Sequence, residues 1–253
     1  MDGFSWIHPA LFAVGAVAGF VDAIAGGGGL LTVPALLAAG LPPQIALGTN
    51  KFQSSCGTAL ATWNYARSGL IDLGRWIPGI VATFGAAVGG AWVVTLIDPS
   101  QLRRAIPIAL GVIAVYTALK PDLGSTQRPA RLSAAPFGIL MGLLLGFYDG
   151  FLGPGTGSFW MVACVLLHGL DLRGATGVTK AMNLTSNLAS LGFFLAAGKV
   201  DFLIGALMAA GQLIGAYFGS HLAIRNGARV IRPVFLTVVF ALAIKLAWDA
   251  FSP

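Results

Sequence analysis

Long apolar runs alternate with short polar or glycine-rich breaks along the whole chain. A membrane-spanning helix needs about 20 predominantly apolar residues, and on that scale the pattern predicts five helical segments in each half. They lie at 7–25, 29–40, 44–66, 76–97 and 105–119, and then at 133–152, 156–169, 174–197, 202–223 and 233–251. A polar, basic stretch at 120–132 is a linker between the two halves, 1–119 and 133–253.

The high hydrophobic content of the chain indicates that these segments lie in lipid. Of 253 residues, 57% are hydrophobic and only 9% are charged, whereas about 25% of the residues in an average soluble domain are charged. A soluble core cannot absorb so much apolar surface, so the sequence predicts an all-α, polytopic membrane protein with helices broken at glycines. No Lys or Arg precedes the first apolar run, unlike a signal peptide. That segment is therefore expected to be retained in a multi-pass protein of the cell (inner) membrane.

The distribution of charges and cysteines excludes other classes of protein. Although the net charge is +6, the fifteen Lys and Arg residues form no dense patch for nucleic acid. Most of them lie between apolar segments, where a membrane protein carries the charges that set its topology. Cys56 and Cys164 lie inside apolar segments, so no disulfide framework is expected.

Ordered sequence matches relate the two halves. They pair Gly19-Phe20-x-Asp22 with Gly146-Phe147-x-Asp149, Gly48-Thr49-Asn50-Lys51 with Gly177-Val178-Thr179-Lys180, Gly69-x-x-Asp72 with Gly198-x-x-Asp201, and Gly85-x-x-x-Gly89 with Gly211-x-x-x-Gly215. The offset drifts only between 126 and 129 residues, which small loop insertions explain. We therefore predict two homologous membrane repeats of four or five segments each. The last pair of motifs, extended by Gly219, predicts close helix packing.

The short second segment of each half either crosses the membrane or is re-entrant. If it crosses, each half has five crossings, and the topological cations divide nine to four between the two faces. If it is re-entrant, each half has four crossings, and the same cations divide seven to six. Because cytoplasmic loops carry an excess of Lys and Arg, the first division favours inverted repeats with both termini outside the cytoplasm.

Two lysines, Lys51 and Lys180, lie within predicted membrane segments and occupy the same repeat position. A cation at the centre of a membrane helix costs about 2.5–3.5 kcal/mol on insertion scales. Either both lysines snorkel to an interface, or they face a shared cavity between the repeats. Steps of three or four residues from each lysine follow a polar helical face. After Lys51 this face contains Ser54 or Ser55, Thr58, Thr62 and Tyr65, and after Lys180 it contains Asn183, Asn187 and Ser190. Interhelical hydrogen bonds explain part of this polarity, but they do not explain the lysines.

Glycine clusters interrupt the first apolar run of each half. The sequences "GGGG" at 26–29 and "GPGTG" at 153–157 break a helix, and a new helix follows at once. A helix start exposes unpaired N–H groups and a partial positive charge, and glycines let a ligand approach that backbone closely. Broken helices between repeats are typical of transporter binding sites. With the two lysines, they predict a cavity suited to a small anion. A nucleotide-binding loop is excluded, because no strand precedes the glycines.

Asp22 and Asp149 come about one turn before these breaks. Two interpretations stay open: the carboxylates accept hydrogen bonds that support the glycine loops, or they carry a coupling proton. No cluster of His, Cys and acidic residues indicates a metal, and no catalytic constellation can be built from neighbouring motifs. We therefore expect neither an enzyme nor a cofactor.

The glycine clusters and "GTNKFQSSCGTALATWNYARSGLID" resemble the sulfite exporter TauE/SafE family, as does "TGVTKAMNLTSNLASLGFFLAAGKVDF" in the second half. The resemblance extends over roughly residues 8–250 and implies a multi-pass transporter built from a duplicated module. It also implies small anions as cargo, with sulfite, sulfonates and related sulfur-containing anions as the usual assignments. Two departures concern the second half: Pro154 stiffens its loop, and Thr179 stands where the first half has Asn50. The two half-sites are therefore not chemically equal.

Together with the resemblance, these observations predict a secondary transporter that moves a small, sulfur-containing anion (sulfite, a sulfonate or a related organosulfur anion) by alternating access of two repeats around a central site. A passive anion channel is the alternative, and a membrane enzyme or a non-transporting subunit lacks any visible machinery. The residues assigned to the anion site are Gly27, Gly28, Thr49, Asn50, Lys51, Ser54, Gly155, Thr156, Thr179, Lys180, Asn183 and Asn187. The expected partners are the anion, lipid and a coupling proton or cation, and a homo-oligomer stays open.

Overall fold

The computed structural model describes residues 7–102, 104, 106, 131–231, 233, 234 and 237. In the first half, the helices are α1 (Ile7–Ala25), α2 (Gly29–Ala38), α3 (Pro43–Arg67), a 3₁₀-helix (Gly74–Trp76) and α4 (Ile77–Thr95). In the second half, they are α5 (Ala134–Phe151), α6 (Thr156–Leu166), α7 (Leu172–Ala196) and α8 (Phe202–Asn226). The predicted segments at 105–119 and 233–251 and the linker at 120–132 lie almost wholly outside the described residues.

Four helical stretches in the described ranges are long and apolar enough to cross a membrane. They are Ile7–Ala25, Gly74–Thr95, Ala134–Phe151 and Phe202–Asn226. The prediction of an all-α, polytopic membrane protein is confirmed. α3 and α7 have 25 residues each, or about 37 Å of helix, but they are more polar. Both lysines and most of the hydroxyl and amide side chains of these two helices are buried within the protein.

α2 and α6 are half-length helices. They contain 10 and 11 residues, which at 1.5 Å per residue is about 15–17 Å, or roughly half the thickness of a bilayer's hydrocarbon core. α2 ends two residues earlier and α6 three residues earlier than the apolar pattern predicts, at Ala38 and Leu166. The chain then turns at Gly40 and Gly169, both with positive φ.

The helices of the two halves pack against each other in a reciprocal arrangement. α1, the first helix of the chain, packs along α8, and α5 packs in the same way along α4. α3 lies against both α7 and α8, while α7 lies against both α3 and α4. Exchanging the two halves reproduces this pattern. Homology of the repeats and their inverted orientation remain predictions.

Glycines allow the long helices to approach closely. A methyl group added at Gly211 or Gly215 of α8 would clash with the backbone of α1, and one added at Gly90 of α4 would clash with the backbone of α5. The predicted close packing is therefore confirmed for the motif on α8. The prediction is wrong for Gly85 and Gly89 within the part of the chain that the structure describes. A methyl group added at either position would have no atom of another described residue within 4 Å.

Apolar contacts hold both half-length helices in position. α6 contributes Trp160 and Met161 to the largest buried cluster, which also contains Trp76 and Phe137. α2 contributes to two smaller clusters, for example Val33, which packs in a group with Leu47, Phe194 and other residues. The N-termini of α2 and α6 are thereby fixed relative to α3 and α7, which carry the polar residues.

Candidate functional site

The two glycine loops meet in the interior of the protein. Gly26 and Gly27 have φ values of 76° and 95°, and Gly153 and Gly155 have values of 91° and 84°. These left-handed conformations favour glycine. A Cβ atom on Gly26 would lie only 2.6 Å from the carbonyl carbon of Gly157. The loop of one half therefore packs backbone against backbone on the loop of the other half, which side chains would prevent.

The start of α2 lies beside the loop before α6. A Cβ atom on Gly29, the first residue of α2, would lie 3.2 Å from the Cα of Pro154. Two helix N-termini, each with the partial positive charge of its helix dipole, are therefore neighbours. Such an arrangement attracts negative charge, and the nearest carboxylates supply it.

Each buried lysine forms an ion pair with the aspartate of the opposite half. Lys51 Nζ lies 2.9 Å from Asp149 Oδ1, and Lys180 Nζ lies 3.0 Å from Asp22 Oδ2. The exposed fraction is 1% for Lys51 and 0% for Lys180, so neither ammonium group reaches an interface by snorkelling. The four groups together carry no formal net charge, which satisfies the requirement that buried charges be paired.

The surroundings of the two carboxylates differ. Asp22 Oδ1 accepts a hydrogen bond from the backbone N–H of Gly28 at 3.2 Å. Asp149 Oδ1 accepts one from Thr156 Oγ1 at 3.0 Å, and Asp149 Oδ2 accepts one from Ser186 Oγ. Each carboxylate thus contacts the loop or the helix start that follows it.

A small polar cavity lies between the two loops, with a volume of about 20 Å³. The first half lines it with Asp22, Gly27, Gly29, Asn50, Ser54 and Thr58, and the second half lines it with Asp149, Gly153, Gly155, Thr156, Gly157, Asn183 and Asn187. This volume holds about one water molecule. Pairs of residues at positions that the predicted repeat makes equivalent contribute to the lining, among them Asp22 with Asp149, Ser54 with Asn183 and Thr58 with Asn187.

Several buried polar atoms border this cavity. Asn183 is 6% exposed, and its side-chain oxygen has no hydrogen-bond partner in the structure. Asn50 Oδ1, in contrast, accepts hydrogen bonds from Thr32 Oγ1 at 2.5 Å and from Gln53 Nε2 at 2.9 Å. Asn187 Oδ1 accepts one from Lys51 Nζ at 3.2 Å, which connects that lysine to the cavity wall.

Most of the residues that the sequence assigns to the anion site lie at this cavity, but five do not line it. Gly27, Asn50, Ser54, Gly155, Thr156, Asn183 and Asn187 line it. Lys51 and Lys180 pair with the two aspartates that line the cavity, and the backbone N–H of Gly28 donates to Asp22. Thr49 Oγ1 accepts from the backbone N–H of Asp201 at 2.9 Å, and Thr179 Oγ1 is buried without a partner.

The sequence pattern did not assign Gly29, Thr58, Gly153, Gly157 or Ser186 to the site. The three glycines belong to the clusters that break the helices, so membership of those clusters was the available signal. Ser186 follows Asn183 by three residues on the polar face of α7, a spacing that places both on one side of a helix. Among the described residues, no three His, Cys, Asp or Glu side chains gather where they could hold a metal ion.

Comparison with known proteins identifies relatives along almost the whole chain. The model of the family described as "Sulfite exporter TauE/SafE" matches residues 11–246. "Probable membrane transporter protein ORF9" from Sinorhizobium sp. is 42% identical over 243 residues, which cover 96% of this chain and 93% of that protein. "Probable membrane transporter protein YfcA" from Escherichia coli K12 is 42% identical over 240 residues, covering 95% of this chain and 89% of that protein. No solved structure matches the chain.

Proposed function

Because the chain belongs to the sulfite exporter TauE/SafE family, we propose that it is a secondary transporter that moves a small, sulfur-containing anion across the cell (inner) membrane. The anion binds at the cavity between the two glycine loops, and the two halves open it alternately to either side. The meeting of two helix N-termini at a cavity backed by Lys51 carries this proposal.

The electrostatics of the cavity suit a small anion. The N-termini of α2 and α6 provide partial positive charges and N–H donors. The side-chain amides of Asn183 and Asn187 can each direct their NH₂ group, a hydrogen-bond donor, toward an oxyanion. Lys51 supplies a full charge once it leaves Asp149. The family is named for the export of sulfite, an oxyanion of the size that such donors recognise.

The small volume of the cavity favours alternating access. An anion of several heavy atoms needs more room than one water molecule, so the two glycine loops must move apart before it enters. The loops belong to different halves, and their contact is made through glycine backbones with few side chains to displace. Binding sites between repeats at broken helices are the arrangement found in many secondary transporters.

Anion-dependent thermal stability of the purified protein tests this proposal. Sulfite, sulfate, thiosulfate and methanesulfonate are added at matched ionic strength, with chloride as the control. A ligand that binds only the folded state stabilises it by RT ln(1 + [L]/Kd), about 1.4 kcal/mol at ten times Kd. We expect one or more sulfur anions to stabilise the wild type and to lose this effect in Lys51→Met. Lys199→Met, at a half-buried position in the turn after α7, is the matched control and should respond like the wild type.

Uptake into proteoliposomes then separates a transporter from a channel. A transporter accumulates the stabilising anion against its electrochemical gradient when a second gradient is imposed, whereas a channel dissipates the anion gradient. Failure of every sulfur anion to stabilise the protein, or a full response in Lys51→Met, would refute the proposed site.

A further inference from the structure

We infer that the two ion pairs have different tasks: Asp149 takes up a proton and releases Lys51 to the anion, whereas Asp22 stays ionised and anchors Lys180. This inference rests on the proposed anion transport and adds the coupling ion and the residue that carries it. It derives from the hydrogen-bonding chemistry around each pair.

Lys180 is bound to the backbone as well as to a carboxylate. Its Nζ donates to the backbone carbonyl of Asp22 and to Asp22 Oδ2 at 3.0 Å. That carbonyl belongs to the last turn of α1, where a cation complements the negative end of the helix dipole. Moving Lys180 toward an anion would therefore break its hydrogen bond to the backbone at the end of α1. Lys180 thus anchors the chain where the first glycine loop begins.

Lys51 is bound only to side chains. Its partners are Asp149 Oδ1 at 2.9 Å and Asn187 Oδ1 at 3.2 Å, and both of those residues line the cavity. Replacing the carboxylate oxygen by an oxygen of the anion would break no backbone hydrogen bond. Lys51 is therefore the cation that can exchange one oxygen ligand for another.

The groups around Asp22 require it to be ionised. Its Oδ1 accepts from the backbone N–H of Gly28, and its Oδ2 accepts from the ammonium group of Lys180. Both partners can only donate hydrogen bonds. A protonated Asp22 would present an O–H to two donors and find no acceptor among them, which is costly in a buried position.

The groups around Asp149 accommodate a proton. Besides Lys51, they are the hydroxyls of Thr156 and Ser186, which can donate or accept. The Thr156 hydroxyl also lies 2.7 Å from the carbonyl of Gly153, an alternative acceptor for its proton.

Ser186 has the same freedom. Its hydroxyl lies 3.1 Å from the carbonyl of Met182, to which it can donate once Asp149 no longer accepts. A protonated Asp149 can then donate to Ser186 Oγ, and every buried group keeps a partner. This reversal of hydroxyl donors is available to Asp149, whereas the two partners of Asp22 cannot reverse.

Other ionisable groups near Asp149 do not bond to it. α4, which packs along α5, carries no ionisable side chain between Ile77 and Thr95. The 3₁₀-helix, α6, α7 and α5 itself contribute Arg75, Cys164, Arg173, Lys180 and Tyr148. Tyr148 donates its hydroxyl to the carbonyl of Pro154 at 2.6 Å, and Lys180 binds Asp22. Lys51 is therefore the charged group that responds when Asp149 becomes neutral.

The charge balance of the exchange is simple. One proton from the aqueous phase binds a carboxylate oxygen of Asp149, and Lys51 keeps its charge while its hydrogen bond moves from that oxygen to the anion. The empty pair is neutral, and the pair loaded with one proton and one monovalent anion is neutral too. Proton and anion therefore bind together, and each raises the apparent affinity of the protein for the other by the same factor.

Infrared difference spectroscopy of the purified protein tests this assignment. Acidification from about pH 8 to about pH 5 avoids the exposed carboxyls, which titrate near pH 4. Methanesulfonate is the anion probe, because it stays ionised over this range and has no carbonyl group. We expect acid, and methanesulfonate at constant pH, to produce one protonated-carboxyl band that Asp149→Asn abolishes and Asp22→Asn retains.

A second variant keeps the test decisive if Asp149→Asn does not fold. Ser186→Ala removes one hydroxyl partner of the carboxyl and should shift the frequency of the band. A band that survives in Asp149→Asn, disappears in Asp22→Asn, or does not move in Ser186→Ala would overturn the inference, as would the absence of any band in both arms.

The same experiment separates this inference from the proposed function. If no sulfur anion stabilises the protein while acid alone protonates Asp149, the proposed cargo is wrong and the assignment of the proton-accepting carboxyl stands. If an anion stabilises the protein and no carboxyl is protonated with it, anion binding stands and proton coupling through Asp149 is wrong.

Discussion

Lys51 and Asp149 lie 98 positions apart and in opposite halves of the chain, yet their charged atoms are 2.9 Å apart in the interior of the protein. Lys180 and Asp22 repeat this relationship with the halves exchanged. Each half thus supplies the counterion of the other half's buried cation. Because a buried charge without a partner is strongly unfavourable, the two ion pairs hold the halves together at the glycine loops. In the mechanism that we infer, a proton and an anion replace the Lys51–Asp149 contact, while Lys180 and Asp22 stay paired.

Substitutions of Lys51 and Asp149 are expected to have strongly non-additive effects on the free energy of unfolding. Lys51→Met leaves Asp149 buried without its counterion and should destabilise the protein by about 3–5 kcal/mol. Adding Asp149→Asn removes the orphaned charge and should restore most of that loss. Thermal unfolding in one detergent measures the four members of this double-mutant cycle. Additive effects of the two substitutions would show that the pair contributes nothing as a pair.

The contact between α1 and α8 should depend on glycine. Gly215→Ala places a methyl group against the backbone of α1 near Ala16, and the backbones must move apart to accept it. We expect a loss of about 1–3 kcal/mol, measured by thermal unfolding. Gly85→Ala is the matched control on α4, because no atom of the described residues lies within 4 Å of its added methyl group. It should stabilise the helix by about 0.5–1 kcal/mol.

Two tyrosines fix the ends of the glycine loops. Tyr65 donates its hydroxyl to the carbonyl of Ala23 at 3.0 Å, and Tyr148 donates to the carbonyl of Pro154 at 2.6 Å. Replacing either by Phe leaves a carbonyl without this donor and should lower stability by about 1 kcal/mol. Tyr217→Phe, at a position that is 50% exposed on α8, is the control. An equal loss of stability in all three variants would show that the hydrogen bonds of Tyr65 and Tyr148 to the loop carbonyls do not account for the effect.

Asn50→Asp tests the sign of the charge that the cavity accepts. The aspartate can keep the hydrogen bonds from Thr32 and Gln53, because both donate to the Oδ1 atom of Asn50. The added negative charge faces the cavity and should weaken sulfur-anion binding by tenfold or more, since two charges about 4 Å apart interact by several kcal/mol near a protein surface. Anion titrations followed by thermal stability measure this change.

A matched substitution outside the cavity controls for the added charge. Asn226→Asp, at the last residue of α8, introduces the same charge away from the glycine loops. Its anion titration should resemble that of the wild type. Unchanged or tighter anion binding in Asn50→Asp would show that the anion does not bind at this cavity.

The position of the breaks could be predicted because it is local. Four glycines at 26–29 and the sequence "GPGTG" at 153–157 cannot continue a helix, and the structure ends α1 at Ala25 and α5 at Phe151. The apolar runs likewise fix membrane location, because hydrophobicity acts on each segment by itself. The matching positions of Lys51 and Lys180 predicted that both face one cavity; each instead pairs with an aspartate that lines it.

Which groups contact each other was decided by the tertiary structure. Helical spacing placed Asn50 and Thr179 at equivalent positions, but only Asn50 lines the cavity. Spacing also predicted close packing at Gly85 and Gly89, whereas Gly90 is the glycine of α4 that packs against α5, and Gly85 meets no described atom within 4 Å. A single sequence specifies which residues share a helical face and not which helix lies opposite. The exchange of counterions between the halves therefore appears only when both halves are folded together.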